Sequence, residues 1–343
     1  MQRQSGRIFG LLGLVLVLAA LAGPAAGGRL PLAKVADYPL TGGTGRFDYQ
    51  AMDADHHRLF ISHMGAGSVI AFDLENRRVI ATLDGFPGAT GITVAPALHR
   101  VFVSITGGLF NQLMGGGKVA AMDSDSLKTV WTTPAGRFPD GSALADGKLF
   151  VSDESGGQEL VLDADSGKLI AGIPLGGEAG MTAFDPRGRL IYVNVQTRDE
   201  LAAIDPQKNA VVATYRLTSD CDNNHGLLIE PSGERAFVAC DGNAALLVFD
   251  LTKKAVTEHL KTGPEPDVLA LDAAHGRLYV AGESGVVSVF DVAAQDSVSK
   301  IGEGVAGDDA HSIAVDQNNG LVYLPLRNVD GHPVLRVMRF VEP

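Results

Sequence analysis

The segment Arg277-Leu-Tyr-Val-Ala281 decides the fold, because six further copies of its pattern occur along the chain. Each copy follows a turn and is typical of a short, buried β-strand. The first residues of successive copies are separated by 42, 48, 41, 46, 42 and 44 positions, which is the period of four-stranded propeller blades. The other copies are Arg58-Leu-Phe-Ile-Ser62, Arg100-Val-Phe-Val-Ser104, Lys148-Leu-Phe-Val-Ser152, Arg189-Leu-Ile-Tyr-Val193, Arg235-Ala-Phe-Val-Ala239 and Leu321-Val-Tyr-Leu-Pro325.

Three companion strands accompany each copy. A short strand ending in Asp or its substitute precedes it, as in Leu269-Ala-Leu-Asp272, and a strand commonly ending in Asp follows it, as in Leu246-Leu-Val-Phe-Asp250. A polar turn such as Ala164-Asp-Ser-Gly-Lys168 then leads into a fourth strand. The pattern predicts an all-β protein, a seven-bladed β-propeller of four-stranded antiparallel blades.

The two ends of the repeat array predict how the ring closes. The last copy has three strands before the chain stops, and Lys34-Val-Ala-Asp-Tyr-Pro-Leu40 matches the fourth-strand pattern. We therefore expect the N-terminal strand, residues 32–41, to complete the last blade and remove the open sheet edge. The expected divisions are a signal peptide at 1–28, a propeller at 29–343, and blades at approximately 47–88, 89–139, 140–178, 179–220, 221–263, 264–305 and 306–343.

The N-terminal segment predicts export. Arg3 and Arg7 precede the uncharged, mostly apolar run Ile8–Gly23, and small residues follow it. This pattern is typical of a cleavable secretory signal peptide, so a periplasmic or secreted protein is expected, with no membrane attachment after cleavage. An uncleaved membrane anchor is the alternative.

Composition and charge limit the class of partner. Hydrophobic residues make up 45% of the chain and charged residues 20%, which excludes a disordered protein. Residues 29–343 contain 26 Lys and Arg against 40 Asp and Glu, a net charge of −14. A strongly acidic protein repels phosphate backbones, so nucleic acid is disfavoured and cations or neutral ligands are favoured. A small ligand or a protein partner is expected, and a monomer.

The strand and turn motifs together resemble the YncE-like, or YVTN-repeat, seven-bladed β-propellers of exported bacterial proteins. The resemblance covers the whole mature chain and implies the fold, whereas the family has no single shared catalytic signature. Related propellers include lactonases. Trp131 is the sole tryptophan, which excludes WD40 blades and tryptophan-docked quinoprotein blades. The sequence has no c-type haem motif and no complete phosphate loop, so neither haem c nor a nucleotide is expected.

One mouth of the central channel is the expected functional site. Aligning the copies on their strand-ending Asp places one residue from each blade in a ring: Asp48, Thr90, Gly141, Gly180, His225, Asp267 and His311. Four of these, His225, Asp267, His311 and Asp48, come from consecutive blades and have the ligand types of a divalent metal such as Zn²⁺, Mn²⁺ or Cu²⁺. Glu265, Asp308 and Asp309 lie in adjoining loops as supporting carboxylates. The alternative is a set of channel residues that bind one another and ordered water.

Two functions follow from this site. The leading hypothesis is a binding or scaffold protein that uses the mouth for a metal ion or small ligand, or its rim for a protein partner. The alternative is a metal-assisted hydrolase of the lactonase type, with Asp267 or Glu265 as proton acceptor. The sequence identifies no catalytic residue, and whether the protein is an enzyme stays open.

The two cysteines also fall at this mouth. Cys221 lies in the loop entering blade five, and Cys240 ends the second strand of that blade. In an oxidising compartment a disulfide is expected, which would fix the loop that presents His225. Two unpaired thiols, or thiolate ligation to a metal, are the alternatives. His63 ends the second strand of blade one and is expected to be a surface or packing residue. The extended loop 106–117 of blade two is expected to form a lid, a docking knob or a loop packed on a neighbouring blade.

Overall fold

The computed structural model describes residues 29–217 and 221–342. The predicted signal peptide lies outside these residues. Within them, no helix has the length and apolar character needed to cross a membrane.

Seven four-stranded antiparallel sheets form the ring, which confirms the predicted fold class. The chain begins with β1 (Leu32–Pro39), followed by β2 (Gln50–Asp53), β3 (Arg58–His63), β4 (Ser68–Asp73) and β5 (Arg78–Asp84) in blade 1, and β6 (Ala89–Ala95), β7 (Arg100–Ile105), β8 (Lys118–Asp123) and β9 (Thr129–Pro134) in blade 2. Blade 3 contains β10 (Pro139–Ala145), β11 (Lys148–Asp153), β12 (Gln158–Asp163) and β13 (Leu169–Pro174), blade 4 contains β14 (Ala179–Asp185), β15 (Leu190–Val195), β16 (Glu200–Asp205) and β17 (Ala210–Arg216), and blade 5 contains β18 (Asn224–Ile229), β19 (Arg235–Cys240), β20 (Ala245–Asp250) and β21 (Ala255–Lys261). Blade 6 contains β22 (Pro266–Asp272), β23 (Arg277–Gly282), β24 (Val286–Asp291) and β25 (Ser299–Val305), and blade 7 contains β26 (Ala314–Val315), β27 (Leu321–Val329) and β28 (His332–Phe340).

Within residues 29–217 and 221–342, helical structure occurs in short segments between strands. The described residues contain α1 (Leu109–Met114) and four 3-10 turns, at Met64–Ala66, Pro96–Leu98, Gln196–Arg198 and Asp241–Asn243.

The hydrophobic core lies between neighbouring blades. The aromatic residue of each repeated strand is buried there; Tyr279 of blade 6 and Phe237 of blade 5 have no exposed surface. The outermost strands bury one face only, and β5 alternates between exposed and partly buried residues. The repeated Leu-Phe-Val pattern is therefore the pattern of a strand buried on both faces.

Strand β1 closes the ring by pairing with β28 in the order β1-β28-β27-β26. Arg336 of β28 donates from Nε and Nη2 to the two carboxylate oxygens of Asp37 on β1, both at 2.8 Å. The predicted closure by the N-terminal strand is confirmed, and β28 is paired on both sides.

The innermost strands carry a β-bulge where they begin at the channel mouth. The register shifts between Asn224 and Leu227 in β18, and corresponding shifts occur in β6, β10, β14 and β22. A bulge changes the direction in which the side chain at that point extends. Gly226 permits close approach there, because a Cβ on it would lie 2.1 Å from the backbone oxygen of Asp267 in the next blade.

Candidate functional site

A cavity of about 360 Å³ opens at the predicted mouth of the channel. Asp48, His225 and Asp267, three of the four predicted ligands, line it. The cavity wall is rich in carboxylates, with Arg46 and His225 as cationic neighbours and Met64, Phe138 and Pro266 as apolar ones. The carboxylates on the wall are Asp48, Asp140, Glu154, Asp241, Asp267 and Glu283.

His225 lies at the centre of the polar groups in this cavity. Its Nε2 is 3.0 Å from the hydroxyl of Tyr49, 3.3 Å from Oδ1 of Asp267 and 3.9 Å from Oδ2 of Asp140. Its Nδ1 is 3.1 Å from Oε1 of Gln196. Four blades other than its own therefore contribute a partner to this one imidazole.

These carboxylates keep His225 protonated. Burial opposes the charged imidazolium, but the Asp267 carboxylate and the charges of Asp140 and Glu154 outweigh burial and raise the pKa of His225 to about 10. At neutral pH the side chain is a cation with both ring nitrogens protonated. In that state it donates hydrogen bonds and has no lone pair for a metal.

His311 is fully buried beside the cavity. Its Nδ1 is 3.1 Å from Oδ1 of Asp309, and its Nε2 is 3.8 Å from Oδ1 of Asp48. Burial opposes the charge, and the carboxylates of Asp309, Asp48 and Asp267 raise the pKa of His311 to about 10. Its Nε2 makes no hydrogen bond.

For two carboxyl groups on the cavity wall, the neighbouring cations do not offset the effect of burial on the pKa. Burial, together with the neighbouring charge of Asp48, raises the pKa of Asp140 well above its usual range, despite the nearby His225. Burial likewise raises the pKa of Glu154. Asp267 differs: burial raises its pKa, but His225 and other cations overcome this and lower it. The cavity therefore has more carboxyl groups than its own cations keep ionised.

The structure brings the four predicted ligands to one mouth without forming a compact metal site. Three or more ligand atoms within 4.8 Å of one another occur, in the described part of the chain, at His56, His99 and Asp125 and not at Asp48, His225, Asp267 and His311. Among the predicted supporting carboxylates, Asp309 contacts His311. Asp308 is exposed and pairs with Arg327 at 3.2 Å, and Glu265 is exposed and does not line the cavity.

In blade 3, Asp140 and not Gly141 occupies the ring position. The β10–β11 connection is a two-residue turn, Asp146-Gly147, with Ala145 paired to Lys148, whereas Asp185 in blade 4 pairs with Leu190 across a four-residue connection. The alignment on the strand-ending Asp took Asp146 as the last strand residue. It therefore assigned the ring position of blade 3 one residue too late, to Gly141. The Asp-Gly pair favours a two-residue hairpin, so the sequence did contain the information that this turn is shorter.

Tyr49, Glu154 and Gln196 are the other site residues that the sequence did not indicate. Tyr49 directly follows the ring residue Asp48, and the other two begin the loops after the second strands of blades 3 and 4. Equal repeat positions predict rings, but the reach of these side chains across the channel depends on rotamers that the repeat does not specify.

A disulfide joins Cys221 to Cys240, as predicted. Cys240 also pairs with Asn224 in the β18–β19 register, so the bond holds the loop entering β18 against the strand that follows it. His225 is the next residue after Asn224. The disulfide therefore limits movement of the backbone that presents the central imidazole, and it is typical of an oxidising, exported location.

Two further predicted features have clear positions. His63 is buried and stacks on Phe47, with ring centroids 4.1 Å apart, so it is a packing residue. The extended loop of blade 2 contains α1, on which Leu113 and Met114 are exposed.

The fold and the mouth define a disulfide-bonded seven-bladed β-propeller with an acidic, ligand-sized cavity. No family model matches the chain, and no curated protein matches it. Hydrazine synthase of Kuenenia stuttgartiensis is similar in structure, with a TM-score of 0.72 and 16% identity over 86% of this chain and 96% of that one. The RRP9 WD40 repeats have a TM-score of 0.72 and 9% identity over 90% and 100%, and U3-55K has a TM-score of 0.73 and 9% identity over 89% and 99%. At these identities the likeness concerns the propeller fold alone.

Proposed function

We propose that this chain is an exported, YncE-like β-propeller that binds a small cationic ligand at the acidic mouth of its channel. The repeated strands and the polar turns after the third strands support the family. The disulfide and the predicted signal peptide support export to the periplasm or beyond. The propeller ring acts as the rigid scaffold that holds the binding residues.

The observation that carries this proposal is the excess of carboxyl groups over cationic groups on the cavity wall. Asp140 is buried and Glu154 is partly buried on the same wall, and burial raises the pKa of both carboxyl groups. A cation placed between them would replace the missing positive charge and stabilise both carboxylates in their ionised form. Binding would then lower the pKa of each carboxyl group.

The remaining wall favours an organic cation over a bare ion. Phe138, Met64 and Pro266 provide apolar surface, and Tyr49 adds a second aromatic residue to the wall. Ammonium groups bind favourably near aromatic faces, and a cavity of about 360 Å³ is within the range of small-molecule sites. A primary amine or a quaternary ammonium ion of a few carbon atoms fits this combination of carboxyl groups and apolar surface.

A divalent metal held by His225, His311, Asp48 and Asp267 is the second hypothesis. It is favoured by the unpartnered, buried Nε2 of His311, which lies 3.8 Å from Asp48. Metal ligation requires a neutral imidazole. Because the pKa values of His225 and His311 are each about 10, deprotonation at pH 7 costs about 4 kcal/mol for each imidazole, which metal bonding must exceed. The metal-assisted hydrolase depends on this second hypothesis.

Calorimetric titration with 1,4-diaminobutane and with choline tests the proposal, with 1,4-butanediol as the uncharged control. We expect an amine to bind and the diol not to bind. Asp140→Asn and Glu154→Gln should each weaken amine binding at least tenfold. Asp308→Asn is the matched control, because Asp308 is an exposed carboxylate outside the cavity wall. Equal binding of amine and diol, or no binding of either amine, would overturn the proposal.

Metal analysis of the same preparations separates the second hypothesis. Bound Zn²⁺ or Mn²⁺ that is lost in both His225→Ala and His311→Ala would support a metal at the mouth. Turnover of lactones or esters that is lost in the same variants would support the hydrolase. Metal retained in both variants would place it elsewhere on the protein.

A further inference from the structure

A second cluster of ligand-type side chains lies on the face opposite the mouth. His56 is in the turn between β2 and β3, His99 follows the 3-10 turn before β7, and Asp125 is in the turn after β8. These turns join strand ends remote from the beginnings of the inner strands. The cluster is therefore independent of the cavity and spans blades 1 and 2.

The three side chains converge closely. One ligand atom from each lies within 4.8 Å of the other two. Nε2 of His56 is 3.7 Å from Oδ1 of Asp125, and Nδ1 of His99 is 3.2 Å from Oδ2 of the same carboxylate. His99 and Asp125 are exposed and His56 is partly buried, so small side-chain rotations can bring all three atoms onto one ion.

A buried carboxylate orients the first imidazole. Asp53 has no exposed surface, and its Oδ2 is 2.9 Å from Nδ1 of His56. Its Oδ1 also accepts a hydrogen bond from the backbone N–H of His56 at 3.2 Å. With Nδ1 engaged, Nε2 is the nitrogen left to face Asp125. Carboxylates hold metal-binding imidazoles in this way, fixing the tautomer and raising the basicity of the ligand.

Two hydrogen bonds to backbone carbonyls, one within blade 2 and one from a side chain of blade 1, fix the turns at this point. The N–H of Ser124 donates to the carbonyl of His99 at 3.1 Å. Arg58, next but one to His56 in sequence, donates from Nη1 to the carbonyl of Ser124. The backbone that presents Asp125 is therefore tied to both histidine-bearing turns. Ligands on backbone that is already fixed lose little conformational entropy when an ion binds.

Blade 6 shows which part of the arrangement is ordinary turn structure. Asp272 and His275 have the same spacing as Asp53 and His56, and Nδ1 of His275 is 2.8 Å from Oδ2 of Asp272. In the described chain no third ligand group joins His275. The Asp-x-x-His pair is thus a repeated turn feature, and the added His99 and Asp125 distinguish blades 1 and 2.

We propose that His56, His99 and Asp125 bind one divalent transition metal ion of the Zn²⁺ type, which links blades 1 and 2. Two imidazoles and one carboxylate form a common protein ligand set for Zn²⁺, and the exposed side of the cluster leaves a fourth position for water. The neighbouring Arg58 guanidinium opposes a cation, and the buried Asp53 carboxylate offsets it. The ion stabilises the ring at this blade junction because it binds the folded chain.

Calorimetric titration with ZnCl₂ of the metal-stripped protein, purified without a polyhistidine tag, tests the site. We expect one site that His99→Ala and Asp125→Asn each weaken at least tenfold. His275→Ala is the matched control and should leave the affinity unchanged. The thermal unfolding midpoint should rise with Zn²⁺ in the wild type and in His275→Ala, and not in His99→Ala.

The result is separable from binding at the mouth, because His225→Ala should leave this site intact. Wild-type protein that takes up no Zn²⁺ would overturn the proposal. Undiminished binding by His99→Ala and Asp125→Asn would also overturn it, and loss of that binding in His225→Ala would assign the ion to the mouth. Unfolding midpoints measured without metal show whether each variant is folded, and the exposed positions of His99 and Asp125 predict that they are.

Discussion

The hydroxyl of Tyr49 lies 3.0 Å from Nε2 of His225, although the first residue belongs to blade 1 and the second to blade 5. The contact crosses the channel, so the inner ends of distant blades are joined directly. Asp140, Gln196 and Asp267 approach the same imidazole from three other blades. The protonation state of His225 therefore depends on the arrangement of most of the ring.

The first prediction concerns the titration of His225. Its Cε1 proton should titrate near pH 10 by NMR, because the surrounding carboxylates stabilise the imidazolium. Asp267→Asn removes the largest of the charge contributions and should lower this pKa. His63 provides an internal comparison, since burial lowers its pKa below the ordinary value. A His225 that titrates near 6.5 in the wild type would contradict the assigned charge state.

The second prediction is a loss of stability at alkaline pH. His225 and His311 have raised pKa values in the folded state, of about 10 each, so their stabilising contribution is complete below the unfolded value of about 6.5. It is lost as the pH rises through 10. Each group should lower the free energy of unfolding by about 1.4 kcal/mol per pH unit between about pH 7 and pH 10.

Urea unfolding at pH 7.0, 8.0, 9.0 and 9.5 measures this loss. Removing one contributor by His225→Gln should make the decline shallower than in the wild type. Replacing the exposed His57 by Gln should leave the slope unchanged, because its carboxylate neighbour, Glu75, is exposed and lies 3.8 Å away. Identical slopes for wild type and His225→Gln would contradict the prediction.

The fold was predictable because it repeats. Each copy of the Arg277–Ala281 pattern is weak alone, but seven copies at one spacing specify strands buried on both faces, and only a ring gives every blade two neighbours. The closing strand was predictable for the same reason, since Lys34–Leu40 supplies the one fourth strand that the last repeat lacks.

The site was predictable only in part because its contacts are not periodic. Ring positions identified His225 and Asp267, which do meet. The contribution of Tyr49 depends on a side chain that crosses the channel. Asp140 was missed because the shorter turn in blade 3 shifts the repeat alignment by one residue. The charge state of His225 could not be predicted from the sequence either, because it depends on the burial and charges of residues that are far apart in sequence.

The third prediction is that loss of the disulfide destabilises the protein and loosens the mouth. The bond closes a loop with a sequence separation of 19 residues, for which chain entropy predicts about 3 kcal/mol. The double variant Cys221→Ser, Cys240→Ser should therefore unfold at lower urea concentration. Hydrogen exchange at Asn224 and His225 should be faster in this variant. Dithiothreitol should destabilise the wild type and leave the double variant unchanged; a wild type insensitive to reduction would contradict the assignment.

The fourth prediction concerns the close approach of inner strands at the mouth. A Cβ at Gly226 would lie 2.1 Å from the backbone oxygen of Asp267, and backbone cannot move aside as a flexible side chain can. Gly226→Ala should therefore cost about 1–3 kcal/mol of stability and displace Asp267 from His225. The displacement should lower the pKa of His225, which links the packing defect to a spectroscopic signal.

Gly172→Ala is the matched control for this substitution. Gly172 lies on the outermost strand of blade 3, and its added Cβ would meet first the end of the flexible Gln158 side chain, at 2.9 Å. That side chain can rotate away, so the variant should retain nearly wild-type stability and an unchanged His225 titration. If Gly226→Ala and Gly172→Ala behave alike, the close approach of β18 and β22 does not position Asp267, and the rigidity of the mouth must come from the loops instead.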